Sequence, residues 1–521
     1  MVYYGPKHVV ETGSYDIRNF FRPARSEDGK LITEEDKMLP PVTWDPEVER
    51  RLLRKLDLRI TFPVWFMYVI AYIDRVNLGN VKVLNAKSPD SIENSLGTQG
   101  VEFNWAISLA FWGFLIAEIP SNIMLKKFSA RVWLARIMVT WGIVVMCMAA
   151  CKNAAGLLAA RFFLGLCEAG LIPGVFYYFS FWFKPTERAT RNGWFYSASG
   201  FAGGVSGLLA IAMEGLNGVG GLKAWQWVFI LEGAPAVILG TVLYFVLLEF
   251  PHSQTSYLTP EEQDVAIRRL PSHAPSMHDK NFIFEEAITV FAQPAHWLFM
   301  LSYVCMSVGI LGAANFLPSI LGGMGYTTAL SANFMSAWPN FAAIFYYVGN
   351  SWHSDYTRER VWHGIIPTLV CFIGSALLTA AARNPPTATD PGFIPNSARY
   401  ALFFFTTFQT GAYPVLVNFR ASTLKGSTEV GLGISSTLVC QAIASIIAPF
   451  LFPNSDAPQY VPGMTISTVL FGVGSLTYAA IPLALRYQNY LARKWQKENG
   501  IPEELNEVEK KEVEVKAAPE A

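Results

Sequence analysis

Charge is scarce in this 521-residue chain, with Asp, Glu, Lys and Arg together making up only 15%. A soluble domain usually carries about 25%. The shortage falls between residues 60 and 485, where apolar runs recur at bilayer-spanning length. Each crossing of the hydrocarbon needs about 20 such residues, so the pattern excludes a soluble globular protein. The runs are continuous rather than alternating, which excludes a β-barrel; helices pair every backbone group within the segment. A formal net charge of zero leaves no basic excess for a nucleic-acid partner. The six cysteines sit mostly in apolar runs, with no disulfide or metal spacing. Cys147 and Cys151, one helical turn apart, read as small apolar side chains. There is no Gly-x-Ser-x-Gly elbow, His-Glu-x-x-His pair or Walker loop, so no enzyme and no cofactor is expected. No cleavable signal is read at the N-terminus, because residues 1–59 are polar.

What is present is about twelve apolar runs. The first six cover residues 60–84, 105–125, 133–150, 156–183, 192–213 and 225–250. The second six cover 294–317, 331–352, 361–381, 398–419, 427–452 and 464–485. The predicted fold is an all-α polytopic membrane protein of two six-helix bundles, 60–250 and 294–485. A tail (1–59), a middle loop (251–293) and a second tail (486–521) are assigned to the cytoplasm, the last of these disordered over Glu503–Glu520. Arg50, Arg51, Arg54, Lys55, Arg59, Lys126, Lys127, Arg131, Lys184, Arg188 and Arg191 mark the cytoplasmic side. Arg268, Arg269, Arg358, Arg360, Arg420, Lys425, Arg486, Arg493 and Lys494 continue it. Lys82, Lys87, Lys152, Lys223, Arg383 and Arg399 lie opposite. Arg131-Val132-Trp133 and Arg360-Val361-Trp362 occupy equivalent turns, a faint repeat of the two halves. The fifth and eleventh runs are rich in Gly and Ser and depend most on packing.

Against that apolar background the retained charges stand out. Asp74 and Arg75 are adjacent within the first run, where a mid-bilayer charge costs from about 2.5 to more than 10 kcal/mol. Arg161 and Glu168 in the fourth run are seven residues apart and share one helix face, roughly 10 Å apart along it. Two readings stand: a structural ion-pair network, or an anion site beside a proton-accepting carboxylate. A desolvated carboxylate takes up a proton, and a neighbouring guanidinium favours its ionised form. Arginine meets a carboxylate through a two-pronged fork and stays charged. Glu118 reads as a gate or cap, or as part of the substrate or proton site. The second half has no comparable cluster; Asn315, Asn340, Gln409, Asn418 and Gln441 are its polar candidates. Pro173, with its flanking glycines, predicts a bend or a close helix contact. Gly200, Gly203, Gly204 and Gly207 predict close packing of the fifth span.

Several of these stretches resemble a known family. Tyr72-Ile73-Asp74-Arg75-Val76-Asn77-Leu78-Gly79-Asn80 is similar to the first-helix signature of the anion:cation symporters, a branch of the major facilitator superfamily. Glu118-Ile119-Pro120-Ser121-Asn122, Arg161-x-x-x-Gly165-x-x-Glu168-Ala169-Gly170 and Trp227-x-x-x-x-Glu232-Gly233 extend the match. So do Ser354-Asp355-Tyr356-Thr357-Arg358-Glu359-Arg360 and the segment Asp456 to Gly463, the last resembling the fungal allantoate permeases. The resemblance covers nearly all of the membrane region. Trp112 and Phe114 depart from it where tyrosines are common, as do Ala444-Ser445 in the eleventh run.

The resemblance implies proton-coupled uptake, by alternating access at the plasma membrane, of a small organic anion such as allantoate, nicotinate or pantothenate. Substrate binding falls to Arg75, Arg161 and Asn77, joined by Asn340, Gln409 and Gln441. Proton coupling falls to Glu168 and Asp74, and gating to Glu118, Asp355 and Arg358. The implied partners are the anion, protons and the lipid bilayer, and the carrier is expected to be monomeric. An exporter of an acidic metabolite and a non-transporting nutrient sensor remain open as alternatives on the same scaffold.

Overall fold

The computed structural model describes residues 9–10, 12–21, 40–83, 88–98, 101–253, 256–270, 283–326, 329–384, 392–424, 427–452, 456 and 459–498. The acidic tail at Glu503–Glu520 and the residues Lys87 and Lys425 lie outside the described residues. So do the side chains of Asn80, Lys82, Lys126 and Asn315.

Among the described residues the chain is helical, with no strand. In the first half the spans are Phe62–Val83, Val101–Phe128, Ala130–Met148, the pair Ala154–Glu168 with Leu171–Trp182, Pro185–Glu214 and Ala224–Val246. In the second they are Pro294–Gly323, Ala329–Thr357, Trp362–Arg383, the broken run Asn396–Ser422, Ser427–Ile447 and Val461–Glu498. Among the described residues, eight helices are long and apolar enough to cross a membrane by length and composition, and nine if one pair bent by 69° counts as a span. The fifth, eighth and tenth spans fall short. They bear the Gly, Ser and Asn residues, and the fifth and eighth are buried against each other where the halves meet. A helix that faces protein rather than lipid needs less apolar surface.

Two predicted features take a definite form. The fourth span breaks at Ala169-Gly170, with Gly170 at φ 85° in the left-handed region that glycine tolerates. Pro173 lies in the first turn of the resumed helix, where a missing N–H is harmless. The bend therefore belongs to Gly170, and a Cβ there would sit 2.2 Å from Ser121 Oγ. In the fifth span, a Cβ on Gly200 would lie 2.7 Å from the Asn340 carbonyl, and one on Gly204 2.6 Å from the Phe341 ring. The glycines do bring the fifth and eighth spans together.

One end of the molecule is basic and carries both described tail segments. Pro46–Leu56 is capped by the Asp45 side chain, which accepts from Glu47 N at 2.9 Å, and buries Val48, Leu52 and Leu56. It lies against the middle-loop helix Pro260–Arg268, which starts with a Thr259/Glu262 capping box. Lys55 bonds Glu262 at 2.7 Å. Arg269, fully buried, reaches Glu49 at 3.0 Å and Glu187 at 2.8 Å. Burial works to raise the Glu49 carboxyl. Hydrogen bonds from Lys184 and Trp44, with the charges of Lys184 and Arg269, outweigh it and hold it below the ordinary glutamate range. On the second half, Val10 exchanges hydrogen bonds with Asn489, and Trp362 donates to the Tyr15 carbonyl at 3.1 Å.

Candidate functional site

Neighbours on a helix point about 100° apart, so Asp74 and Arg75 serve different partners. Arg75 turns to the fourth span, and its Nη2 meets Glu168 Oε1 at 2.8 Å. Its guanidinium also lies 5.2 Å from the centre of the Phe114 ring. Asp74 turns away and accepts from the Trp141 indole at 2.8 Å. One turn on, Asn77 accepts from Arg161 Nη2 at 2.9 Å. Glu232 of the sixth span stands beside Asn77 and Arg161. Glu118 of the second span faces Arg75 and Glu168. Asp74, Asn77, Glu118, Arg161, Glu168 and Glu232 are all buried. Four carboxyl groups thus surround two guanidiniums, and Asp74 Oδ1, Glu118 Oε2 and Glu232 Oε2 have no hydrogen-bond partner.

In front of this cluster, between the halves, lies a cavity with about 1110 Å³ of empty volume, its open mouth included. Arg75 is the charged side chain on its wall among the described residues. The rest is neutral, dominated by Tyr68, Tyr72, Tyr196, Tyr303, Tyr347 and Tyr413. The hydroxyls of Tyr196 and Tyr303 share a hydrogen bond at 3.1 Å across the halves. Ser199 donates to Tyr347 Oη at 3.2 Å, and Tyr303 donates to Gln441 Oε1 at 3.3 Å. Asn340 and Gln441 also line the cavity. Gln409 does not; it is fully buried in the 3₁₀ break Thr407–Gly411, between the lining residues Thr407 and Thr410. Both polar atoms of its amide lack partners. Asn77 and Arg161 lie behind the first span, away from the cavity wall.

At the basic end the two halves are fastened together. Thr190 donates through both N and Oγ1 to Asp355 Oδ2 at 2.7 Å, and Arg360 pairs with Asp355 Oδ1 at 2.8 Å. Arg358 donates to the Thr186 carbonyl at 2.8 Å from a left-handed backbone, φ 57°. Asn122 donates to Ser435 Oγ at 2.6 Å, and Asn418 to the Pro185 carbonyl at 3.2 Å. Asp355 and Arg358 therefore sit in the seam between halves. Glu118 sits instead with the charge cluster, one turn before Asn122. Asn418 belongs to the seam and not to the cavity.

Glu232 and Tyr72 stand in the sequence only within family motifs, with no site role, and nothing local marks Trp141 or the other cavity tyrosines. Glu232 carries a usable signal, being an acid inside the apolar sixth run as Asp74 is inside the first. The tyrosines carried none, being scattered over five spans and brought together only by packing.

Comparison with known proteins gives one consistent family. A model described as Major Facilitator Superfamily matches residues 64–449. A fungal protein named MFS transporter prlL, from Fungal sp. (strain NRRL 50135), is 29% identical over 87% of this chain and 89% of its own. A protein of Agrobacterium vitis named "Putative tartrate transporter" is 32% identical, covering 64% of this chain and 75% of its own. The solved proton:xylose symporter XylE, bound to 6-bromo-6-deoxy-D-glucose, superposes with a TM-score of 0.57 at 15% identity. That match covers 85% of this chain and 96% of the other. The matched family and the named relatives are membrane transporters, not enzymes.

Proposed function

The chain belongs to the major facilitator superfamily, and on that premise we propose that it imports a small organic anion together with protons. The observation that carries this reading is the Arg75–Glu168 ion pair, 2.8 Å long, with Arg75 on the cavity wall and Glu168 behind it. A carboxylate substrate and Glu168 compete for the same guanidinium. When Glu168 takes up a proton, its hold on Arg75 weakens and the arginine fork is released to the substrate. When substrate leaves, Arg75 returns to Glu168 and the proton is shed. Binding of the two ligands is thereby linked, as symport requires. The excess of buried acid over base makes room for protons, with Asp74 the second proton candidate. Arg161 and Asn77 hold the first and fourth spans in register. Asn340 and Gln441 meet the uncharged part of the substrate from the second half.

In this reading the basic end is cytoplasmic, and the seam through Asp355 and Arg358 is the inner gate, closed here. The membrane is the plasma membrane, and the working unit is a monomer. The name of the Agrobacterium vitis relative supports an organic acid as cargo. The test is uptake of a panel of labelled carboxylates by cells lacking related permeases, at two external pH values. Accumulation of at least one acid, stronger at the lower pH, is the expected result. Acid-independent uptake would remove the coupling, and net efflux would replace import by export.

A further inference from the structure

The valence and shape of the cargo are written in the cavity wall, an inference that rests on the organic-anion reading above. We infer that the substrate carries a single carboxylate on a flat ring, and that dicarboxylates are rejected. Arg75 is the one charged side chain lining the cavity among the described residues. The other cation of the cluster, Arg161, is bound to Asn77 and does not reach the cavity. Arg420, in the tenth span, is buried among Gln293, His296 and Thr423, away from it.

A carboxylate enclosed in a low-dielectric site without a counter-charge is strongly disfavoured, whereas hydroxyls and amides satisfy its hydrogen bonds alone. One arginine fork therefore admits one carboxylate. A second on the same molecule would face phenols and amides with no cation among them. Tartrate, with two carboxylates, is the wrong valence for this wall.

The shape of the wall adds a second constraint, independent of charge. Tyr196 and Tyr347 lie parallel, 7° apart in plane with centres 5.7 Å apart, and come from opposite halves. Hydroxyl bonds to Tyr303 and from Ser199 fix both rings in place. The two rings stack on each other and, with Tyr68, Tyr72, Tyr303 and Tyr413, make a pre-ordered aromatic wall; such a wall rewards a ring-bearing ligand through aromatic contact at little ordering cost.

The test uses the full chain in lipid nanodiscs, with ligand-induced shifts in thermal unfolding read at matched concentrations and neutral pH. The probes are benzoate (ring, one charge), isophthalate (ring, two charges), butyrate (no ring, one charge) and succinate (no ring, two charges). Benzoate is expected to bind about 5-fold more tightly than butyrate. Isophthalate is expected to bind on the order of 50-fold more weakly than benzoate. Gln441→Lys places a second cation on the wall and is expected to narrow that gap by roughly 10-fold. Equal binding of benzoate and isophthalate would overturn the valence inference while leaving the organic-anion reading intact. Equal binding of butyrate and benzoate would overturn the ring. No stabilisation by any of the four, with Arg75→Ala indistinguishable from the parent, would overturn the organic-anion reading and this inference with it.

Discussion

The two halves share one architecture and divide the chemistry unequally. The first half holds Asp74, Arg75, Arg161, Glu168 and Glu232 in a buried network that, among the described residues, reaches the cavity through Arg75. The second half meets the same cavity with neutral groups, Asn340, Thr407, Thr410 and Gln441. Its tenth span is broken at Thr407–Gly411, where Asn350 donates to the freed Gly411 carbonyl at 2.7 Å. Interrupted helices of this kind recur where transporters hold substrate. On the proposed reading, charge handling and substrate shape are separable: the first half sets the ion balance, and the neutral wall drawn from both halves shapes the space. Mutations in the two halves should then change different observables.

The largest effect is expected at Arg75. Arg75→Ala removes the only described cation on the wall and leaves Glu168 buried without its partner. Breaking a buried pair costs about 3–5 kcal/mol, and substrate loses its counter-charge as well. Uptake should fall to background while the protein still inserts, measured by transport alongside surface expression. Normal uptake by a well-inserted variant would mean that the first half does not hold the anion. Glu168→Gln should leave the cavity intact and keep Arg75 permanently available. The expected result is substrate exchange at near-parental rates with loss of pH-driven accumulation. If accumulation stays pH-driven, the proton belongs to another acid of the cluster, Asp74 first.

The charged half was largely legible from sequence, because a charge in an apolar run is conspicuous. The seven-residue spacing placed Arg161 and Glu168 on one face, and Arg75 indeed pairs with Glu168. The separation of Asp74 from that pair follows from 100° per residue, but its partner Trp141 lies 67 residues away and no local pattern marks it. The neutral half was hardly legible. A tyrosine or a glutamine in a membrane helix looks the same whether it lines a cavity or packs on a neighbour, and Gln409 proved to be one residue removed from the wall. All twelve runs were readable from apolarity, the fifth, eighth and tenth least sharply because they carry more Gly, Ser and Asn.

A smaller effect should separate the halves more finely. Asn340→Ala removes a neutral amide from the cavity wall of the second half. A lost hydrogen bond of this kind is worth about 1 kcal/mol, so a rise in KM of roughly 5-fold is expected. The pH profile of uptake should be unchanged, because no charge has moved. A shifted pH profile in this variant would show that the neutral half takes part in ion handling after all.

The smallest effect lies outside the bilayer, where the inequality continues. The first half is braced by ion pairs, with Glu49 taking Lys184 at 2.6 Å and Arg269 at 3.0 Å. The second is braced by the neutral Val10–Asn489 exchange. The Glu49 carboxyl is held below its ordinary range, so its contribution is full at neutral pH and fades as pH falls through that lowered value. Glu49→Gln should loosen the Pro46–Leu56 helix by about 0.5–1 kcal/mol at pH 7. The difference from the parent should vanish at acidic pH, where the parent is protonated too. Amide hydrogen exchange of residues 46–56 in both proteins, at neutral and acidic pH, reads this directly. The described contact at Val10 is a neutral amide exchange, so protection there should change less with pH than that of residues 46–56; if it tracks the 46–56 segment fully, the two braces are one coupled unit.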